Sequence, residues 1–535
     1  MVPDSSGIAD LTENLLFSTL KKEGKMRMSS SYWKGFHFWA AIFMAIFLGA
    51  IVPQSSIAAK TVTIAEGVGP QTLDPHKSTV QTVMNINLSI CEPLTRMDYA
   101  TMQVKPCLAT SWKLVDPTTW EFKLREGVKF TNGESFDANS VKYSLERVLD
   151  PKMKSPNKIN AKTFKEIKVI NPYTVHIVTT GPSSNTTLYL VGLGMVPPQH
   201  VEKVGPVEFG KNPIGTGAFK LEKWVKDEYV ELIPNENYWG GRAKVDRIVY
   251  KTIPETITRM SSLLNGEADL VGNVLIEEIP RIERAKNLSV AKVPSLRTMF
   301  VQFNMTKESP ILDKRVRQAL NYAVDVDSIT QNVLKGNGIK LHGQILSKEY
   351  FGYNPNLKPY PHDPEKAMEL LKAAGAENYE FTIMASAGRY QKGKEVAEVI
   401  GGQLNEAGIK TKVQIMEWGQ FLKKMLAKEL FPMGFWGGRM APAAELYYGA
   451  MVLPSSPYSN YVSAEFDPIY KAAAAEPDRE KSIAAWHKIG ELCYDDPPAI
   501  FLYQIMDVWG VNNRLMGFNP SPDGLVDLFS LDVKP

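Results

Sequence analysis

The chain has little of what most redox, metal and nucleic-acid proteins display. Only three of its 535 residues are cysteine (Cys91, Cys107 and Cys493), and none belongs to a CxxC pair. This argues against a thioredoxin-like redox site and a thiolate zinc site. The three read as small buried apolar residues. A Cys91–Cys107 disulfide is the alternative in an oxidising compartment. The seven histidines, His37, His76, His176, His200, His342, His362 and His487, show no HxxxH spacing, so no metal site is expected. GxSxG, HExxH and the phosphate-loop GxxxxGK[ST] are all missing, which leaves no catalytic residue to name and no cofactor to assign. A formal charge of only +3, with no basic stripe interleaved with aromatics, excludes a nucleic-acid partner. Past residue 58 no apolar run is long enough to cross a bilayer.

What is present is the composition of a soluble globular protein, 44% hydrophobic and 22% charged. The length exceeds one ordinary domain and calls for two or three. Ahead of them lies a leader. Lys25, Arg27 and Lys34 precede an apolar run from Phe36 to Val52, which Pro53 breaks. Ser56-Ile57-Ala58 and Ala59 then supply small residues for cleavage. Residues 1–58 therefore read as an N-terminal extension and a secretory signal peptide, cut near Ala58–Ala59. An uncleaved anchor is the alternative. Without a cysteine at the cut, a lipid anchor is not expected.

The most informative stretch is Leu108–Val148. Trp112 and Leu114 alternate with polar neighbours, Asp116-Pro117 is turn chemistry, and Trp120, Phe122 and Leu124 share one strand face. Asn132-Gly133 marks a tight turn. Asp137 can cap a helix in which Val141, Leu145 and Val148 fall on one side. Farther on, Asn212-Pro213-Ile214-Gly215-Thr216-Gly217 holds a lone GxG that starts no helix and reads as a tight turn. Residue pattern alone gives mixed α/β with several domains.

The order Leu108-Ala109-x-Ser111-Trp112, Phe122-x-Leu124-Arg125-x-Gly127-Val128-x-Phe130, Asn132-Gly133-Glu134 and Ser144-x-Glu146-Arg147 closely resembles the signature of bacterial family 5 extracytoplasmic solute-binding proteins. These are peptide, opine, glutathione and nickel receptors of ATP-binding cassette importers. The resemblance implies a two-lobed α/β periplasmic binding protein fold of class II, with three domains and a large interlobe cleft. Domain I would be discontinuous, from residues 60–93, 214–297 and 507–535. Domain II would be inserted at 94–213, and domain III would span 298–506.

A receptor needs a cleft with aromatic walls and a few fixed polar groups. The best candidate is Gly434-Phe-Trp-Gly-Gly-Arg-Met-Ala-Pro-Ala-Ala-Glu-Leu-Tyr447. Trp436 offers a flat apolar surface, Gly437 and Gly438 let backbone approach a ligand, and Arg439 offers a fork for a carboxylate. Tyr447 closes the segment. The resemblance places this loop in the pocket, where relatives often carry WxGRxDPD and pair an acid with a ligand amine. Here Ala441 and Ala443 stand where the two acids would fall, unless Glu445 replaces them. Arg389 and Tyr390 after one strand, Trp418 after another, and Gln81 from the opposite lobe complete the candidate set. The expectation is a monomeric periplasmic receptor, not an enzyme, that passes a peptide-like solute to its cognate permease and ATPase at the inner membrane. An acidic or amine-blocked solute such as an opine suits the two alanines. A nickel or metal-chelate receptor of the same family is the alternative, and a secreted cleft enzyme a more distant one.

Overall fold

The computed structural model describes residues 59–98 and 101–534. The leader and its cleavage site, read at residues 1–58, lie outside all described residues but Ala59. Among the described residues no helix is long and apolar enough to cross a membrane.

In chain order the strands are β1 (Thr61–Glu66), β2 (Thr95–Asp98), β3 (Gln103–Pro106), β4 (Ala109–Asp116), β5 (Thr119–Leu124), β6 (Phe164–Asn171), β7 (Thr174–Thr179), β8 (Phe219–Val225), β9 (Tyr229–Pro234), β10 (Arg247–Thr252), β11 (Leu270–Val271), β12 (Leu288–Phe303), β13 (Gly338–Lys340), β14 (Phe381–Ser386), β15 (Thr411–Met416), β16 (Met433–Gly438) and β17 (Ala499–Asn512). An eleven-stranded sheet runs β15-β14-β16-β12-β17-β11-β1-β10-β9-β8, with β13 also on β17. A separate four-stranded sheet has the order β4-β5-β7-β6.

Two strands join the halves of the large sheet. β12 spans 16 residues and β17 spans 14. They pair antiparallel from Leu288↔Asn512 to Gln302↔Ala499. At one end β17 borders β11 through Val511 and Gly510. At the other, β12 borders β16 from Thr298 to Phe303. Their register slips between Pro294 and Thr298 and again after Met299. The slip breaks the regular ladder at the junction between the halves.

The signature folds as read. β4 and β5 form a hairpin with Trp112 opposite Phe122. Phe122 and Leu124 are buried. The Asp137 carboxylate accepts from the N–H groups of Asn139 (2.8 Å) and Ser140 (3.1 Å) at the start of the helix Ala138–Leu149. Val141, Leu145 and Val148 are fully buried on its inner face. Arg147, also on this helix, reaches a buried pair at residues 74–76. It donates to both Asp74 oxygens (2.9 and 2.6 Å) and to His76 Nδ1 (2.8 Å), while His76 Nε2 donates to the Gly194 carbonyl (2.8 Å). A ring accepting at one nitrogen and donating at the other is neutral imidazole. Burial and the Arg147 charge accordingly pull His76 down to about 4.

Two local readings become specific. Gly215 and Gly217 do not form a positive-φ turn. They sit against the end of the helix Gln81–Ile90, where a Cβ would lie 1.8 Å from the Ile90 carbonyl oxygen and 2.1 Å from that of Ser89. Glycine is required there by close backbone approach. The three cysteines are free and buried, so the Cys91–Cys107 pairing is not formed.

A candidate ligand cleft between the sheet halves

A cavity of about 1100 Å³ opens where β12 and β17 cross between the halves. Its floor comes from those strands: Ser295, Arg297 and Met299, and opposite them Tyr503 and Asp507. One wall carries Glu66, Gln81 and Arg259, the other Arg389, Tyr390 and Arg439. Of the candidates read from sequence, the cavity thus gathers Gln81, Arg389, Tyr390 and Arg439.

Arg439 follows directly on β16 and reaches across the cavity mouth. Its Nη1 donates to Gln81 Oε1 (3.0 Å) and to the Asp523 carbonyl (3.2 Å). Burial and the neighbouring Arg297 charge both push its pKa below the usual guanidinium value. Arg297 donates to the Gly437 carbonyl (3.0 Å) and lies over the Tyr390 ring (5.8 Å). Arg389 lies over Tyr390 (5.5 Å) and Trp418 (5.2 Å). Among the described residues, the hydrogen-bond and ring partners of these three guanidiniums are all neutral groups. A different cation on the same wall, Lys392, is already paired with Glu277 and Glu395.

The other candidates build the wall from behind. Trp436 is buried, edge-on to Phe300 at 5.0 Å, with Nε1 donating to Gln302 Oε1 (3.2 Å). Tyr447 is fully buried and donates to the Gly438 carbonyl (2.9 Å), and its hydroxyl lies 2.5 Å from that of Thr298. The space a Cβ would take at Gly438 is filled by the Tyr447 ring at 2.6 Å, and at Gly437 by Met299 Sδ at 2.2 Å. These glycines admit the protein's own side chains. Trp418 supports Tyr390 edge-on (6.2 Å). Glu445 does not supply the absent acid of the loop. It is buried away from the cavity and accepts from Asn185 Nδ2 (2.9 Å) and Tyr189 Oη (2.5 Å).

Arg297, Asp507, Glu66 and Arg259 escaped the sequence reading. The signal available was a lone acid in the apolar run Ala499–Asn512 and a lone arginine in Leu288–Phe303. Burial raises Asp507, although Arg439 and Arg297 pull the other way. Burial likewise raises Glu66 to about 7 against the pull of Arg259. Further contacts tie the walls together. Gln391 accepts from the Ile276 N–H (3.1 Å) and donates to the Val274 carbonyl (2.9 Å). Among the described residues no group of three His, Cys, Asp or Glu is placed to hold a metal ion.

Two sheet halves on two shared strands, with a large polar cavity at the crossing, define a two-lobed binding protein. The chain belongs to the bacterial extracellular solute-binding proteins of family 5, whose profile matches residues 103–459. It is 32% identical over 375 residues to the glutathione-binding protein GsiB of Shigella flexneri serotype 5b, covering 69% of this chain and 72% of that one. Among solved structures it is similar to the ABC transporter-associated periplasmic binding protein DppA from Helicobacter pylori in complex with peptide STSA. That match has 27% identity, a TM-score of 0.73, and covers 89% of this chain and 98% of that one. It is also similar to NikZ from Campylobacter jejuni in complex with Ni(L-His), at 25% identity, TM-score 0.75, and 88% and 99% coverage. The chain is thus a solute-binding receptor of the kind that serves ABC importers, a class of periplasmic binding proteins rather than enzymes.

Proposed function

We propose that the chain captures a small acidic, peptide-like solute between its two lobes and delivers it to a cognate permease and ATPase. It would act as a monomer in the periplasm, after removal of its leader near Ala58–Ala59. One observation carries this reading: Arg297, Arg389 and Arg439 line one cavity, and among the described residues their hydrogen-bond and ring partners are neutral. A carboxylate there would gain charge-assisted, bidentate hydrogen bonds and relieve the mutual repulsion of the cations. Glutathione carries two carboxylates, and the GsiB relatives are named for binding it, so it is the first solute to test. Opines fit the same cations.

The domain division also belongs to this proposal: 60–93, 214–297 and 507–535 as domain I, 94–213 as domain II, 298–506 as domain III. The four-stranded sheet falls wholly within 94–213. The boundaries 297/298 and 506/507 fall where β12 and β17 cross the junction and where β12 slips register. The two strands would serve as the hinge. A ligand touching both lobes favours closure by its differential affinity for the closed state.

Isothermal titration with glutathione, other di-acidic peptides and neutral or basic peptides tests the reading. Binding confined to acidic solutes is expected. Equal binding of neutral and acidic peptides would place the selectivity elsewhere.

A further inference from the structure

The loop at 433–447 lacks an acid for a ligand amine, yet the cavity does hold a carboxylate of its own. Asp507 lies on β17 opposite Val293 of β12 and lines the same cavity as Arg297 and Arg439, whose charges act on it. The Ser295 hydroxyl is its hydrogen-bond partner. Among the described residues no ion pair to either guanidinium joins it. A half-buried carboxylate without an ion-pair partner is costly, and a cation on an incoming ligand would offset that cost. Its electrostatic coupling is specifically to Arg439 and Arg297. Glu66, another acid of the cavity, feels a single guanidinium, that of Arg259.

We propose that Asp507, Arg297 and Arg439 together read an unblocked α-amino acid head, with the ligand ammonium on Asp507 and its α-carboxylate on the two arginines. The inference rests on the acidic-solute reading above and narrows it. An ammonium and a carboxylate on one carbon require an acid and a guanidinium in one place; Glu66 has the single guanidinium of Arg259, whereas Asp507 is coupled to two. The consequence is a linkage preference. In an α-linked peptide the residue bearing the free amine has its carboxylate in the peptide bond. In a γ-glutamyl compound both groups stay free. Arg389, on the same wall as Arg439, is left for a further acid of the ligand.

Titration calorimetry with four probes decides it: glutathione, γ-L-glutamyl-L-glutamate, α-L-glutamyl-L-glutamate and N-acetyl-γ-L-glutamyl-L-glutamate. Wild type should bind the γ-linked, free-amine probes about 10- to 100-fold more tightly than the α-linked or acetylated ones, the range for one charge-assisted contact. D507N should lose that tightness for the free-amine probes and leave the acetylated probe within about threefold. D507E should restore part of the discrimination. Equal binding of α- and γ-linked probes, or of free and acetylated probes, overturns the inference and leaves the acidic-solute reading standing. A uniform loss across all probes in D507N marks Asp507 as structural and also overturns it. If wild type binds none of the four, both readings fall. The wild-type comparison needs no variant, so it decides the matter even if D507N does not fold.

Discussion

The signature at 108–148 and the cleft floor on β12 and β17 are built on opposite principles. In the signature the charges that organise the fold have protein partners. Asp137 caps its own helix, and Arg147 is bound at both ends of a guanidinium fork. In the cleft, the hydrogen-bond and ring partners of Arg297, Arg389 and Arg439 among the described residues are neutral, and Asp507 has a hydroxyl. A region whose charges are satisfied contributes stability. A region whose charges await partners contributes binding, and holds them at some cost in stability. The difference separates scaffold from site without reference to any relative.

That separation can be broken by mutation, and the scaffold should show the largest effect. Arg147→Ala strands the buried Asp74 carboxylate and should lower folding stability by about 3–5 kcal/mol. Chemical denaturation measures it, and the affinity of the remaining folded protein for an acidic solute should be unchanged. A large affinity loss would mean that the two regions are not separable.

The same buried group makes stability depend on pH. His76 has a folded value of about 4 against an unfolded value near 6.5. The unfolded chain takes up a proton first, so stability is fully present above about pH 6.5 and is lost as pH falls towards 4. The loss amounts to about 3 kcal/mol. Urea titrations at stepped pH should show this slope, and His76→Asn should flatten it. An unchanged slope in the variant would contradict a neutral buried His76.

The cleft should respond the other way round. Arg439→Ala should cost about 2 kcal/mol of affinity for an acidic solute, the size of a hydrogen bond to a charged group. Its melting temperature should move by little, because the lost bonds join surfaces already held by Gln391 and Lys392. A variant that melts early yet binds normally would place Arg439 with the scaffold. The smallest effect belongs to Asp137→Ala, about 1 kcal/mol of stability from the lost cap with binding untouched. Thermal melting alone is enough to check it.

The contrast also explains what could be read from sequence. The signature was legible because its rules are local: alternation over six residues in β5, a carboxylate two residues before the N–H it accepts. Arg439 was legible as a cation beside two glycines, and Gln81 as a candidate from the opposite lobe; their contact was not. The purpose of those glycines was not, because the side chains that need the space, Met299 and Tyr447, arrive from outside β16. Glu445 misled for a related reason: its partners, Asn185 and Tyr189, are about 260 residues away in sequence. Asp507 was overlooked because a single acid in a buried strand carries no periodic signal. Only the pairing of β12 with β17 brings it beside Arg297, and only β16 adds Arg439.

The central claim is that the cleft arginines hold an acidic solute. Native mass spectrometry of the protein as purified, wild type beside Arg439→Ala, tests it most directly. A small co-purifying solute with at least two carboxylates is expected on the wild type, and its loss or marked depletion on the variant. A neutral or basic solute, or an acidic one retained equally by both proteins, would contradict it.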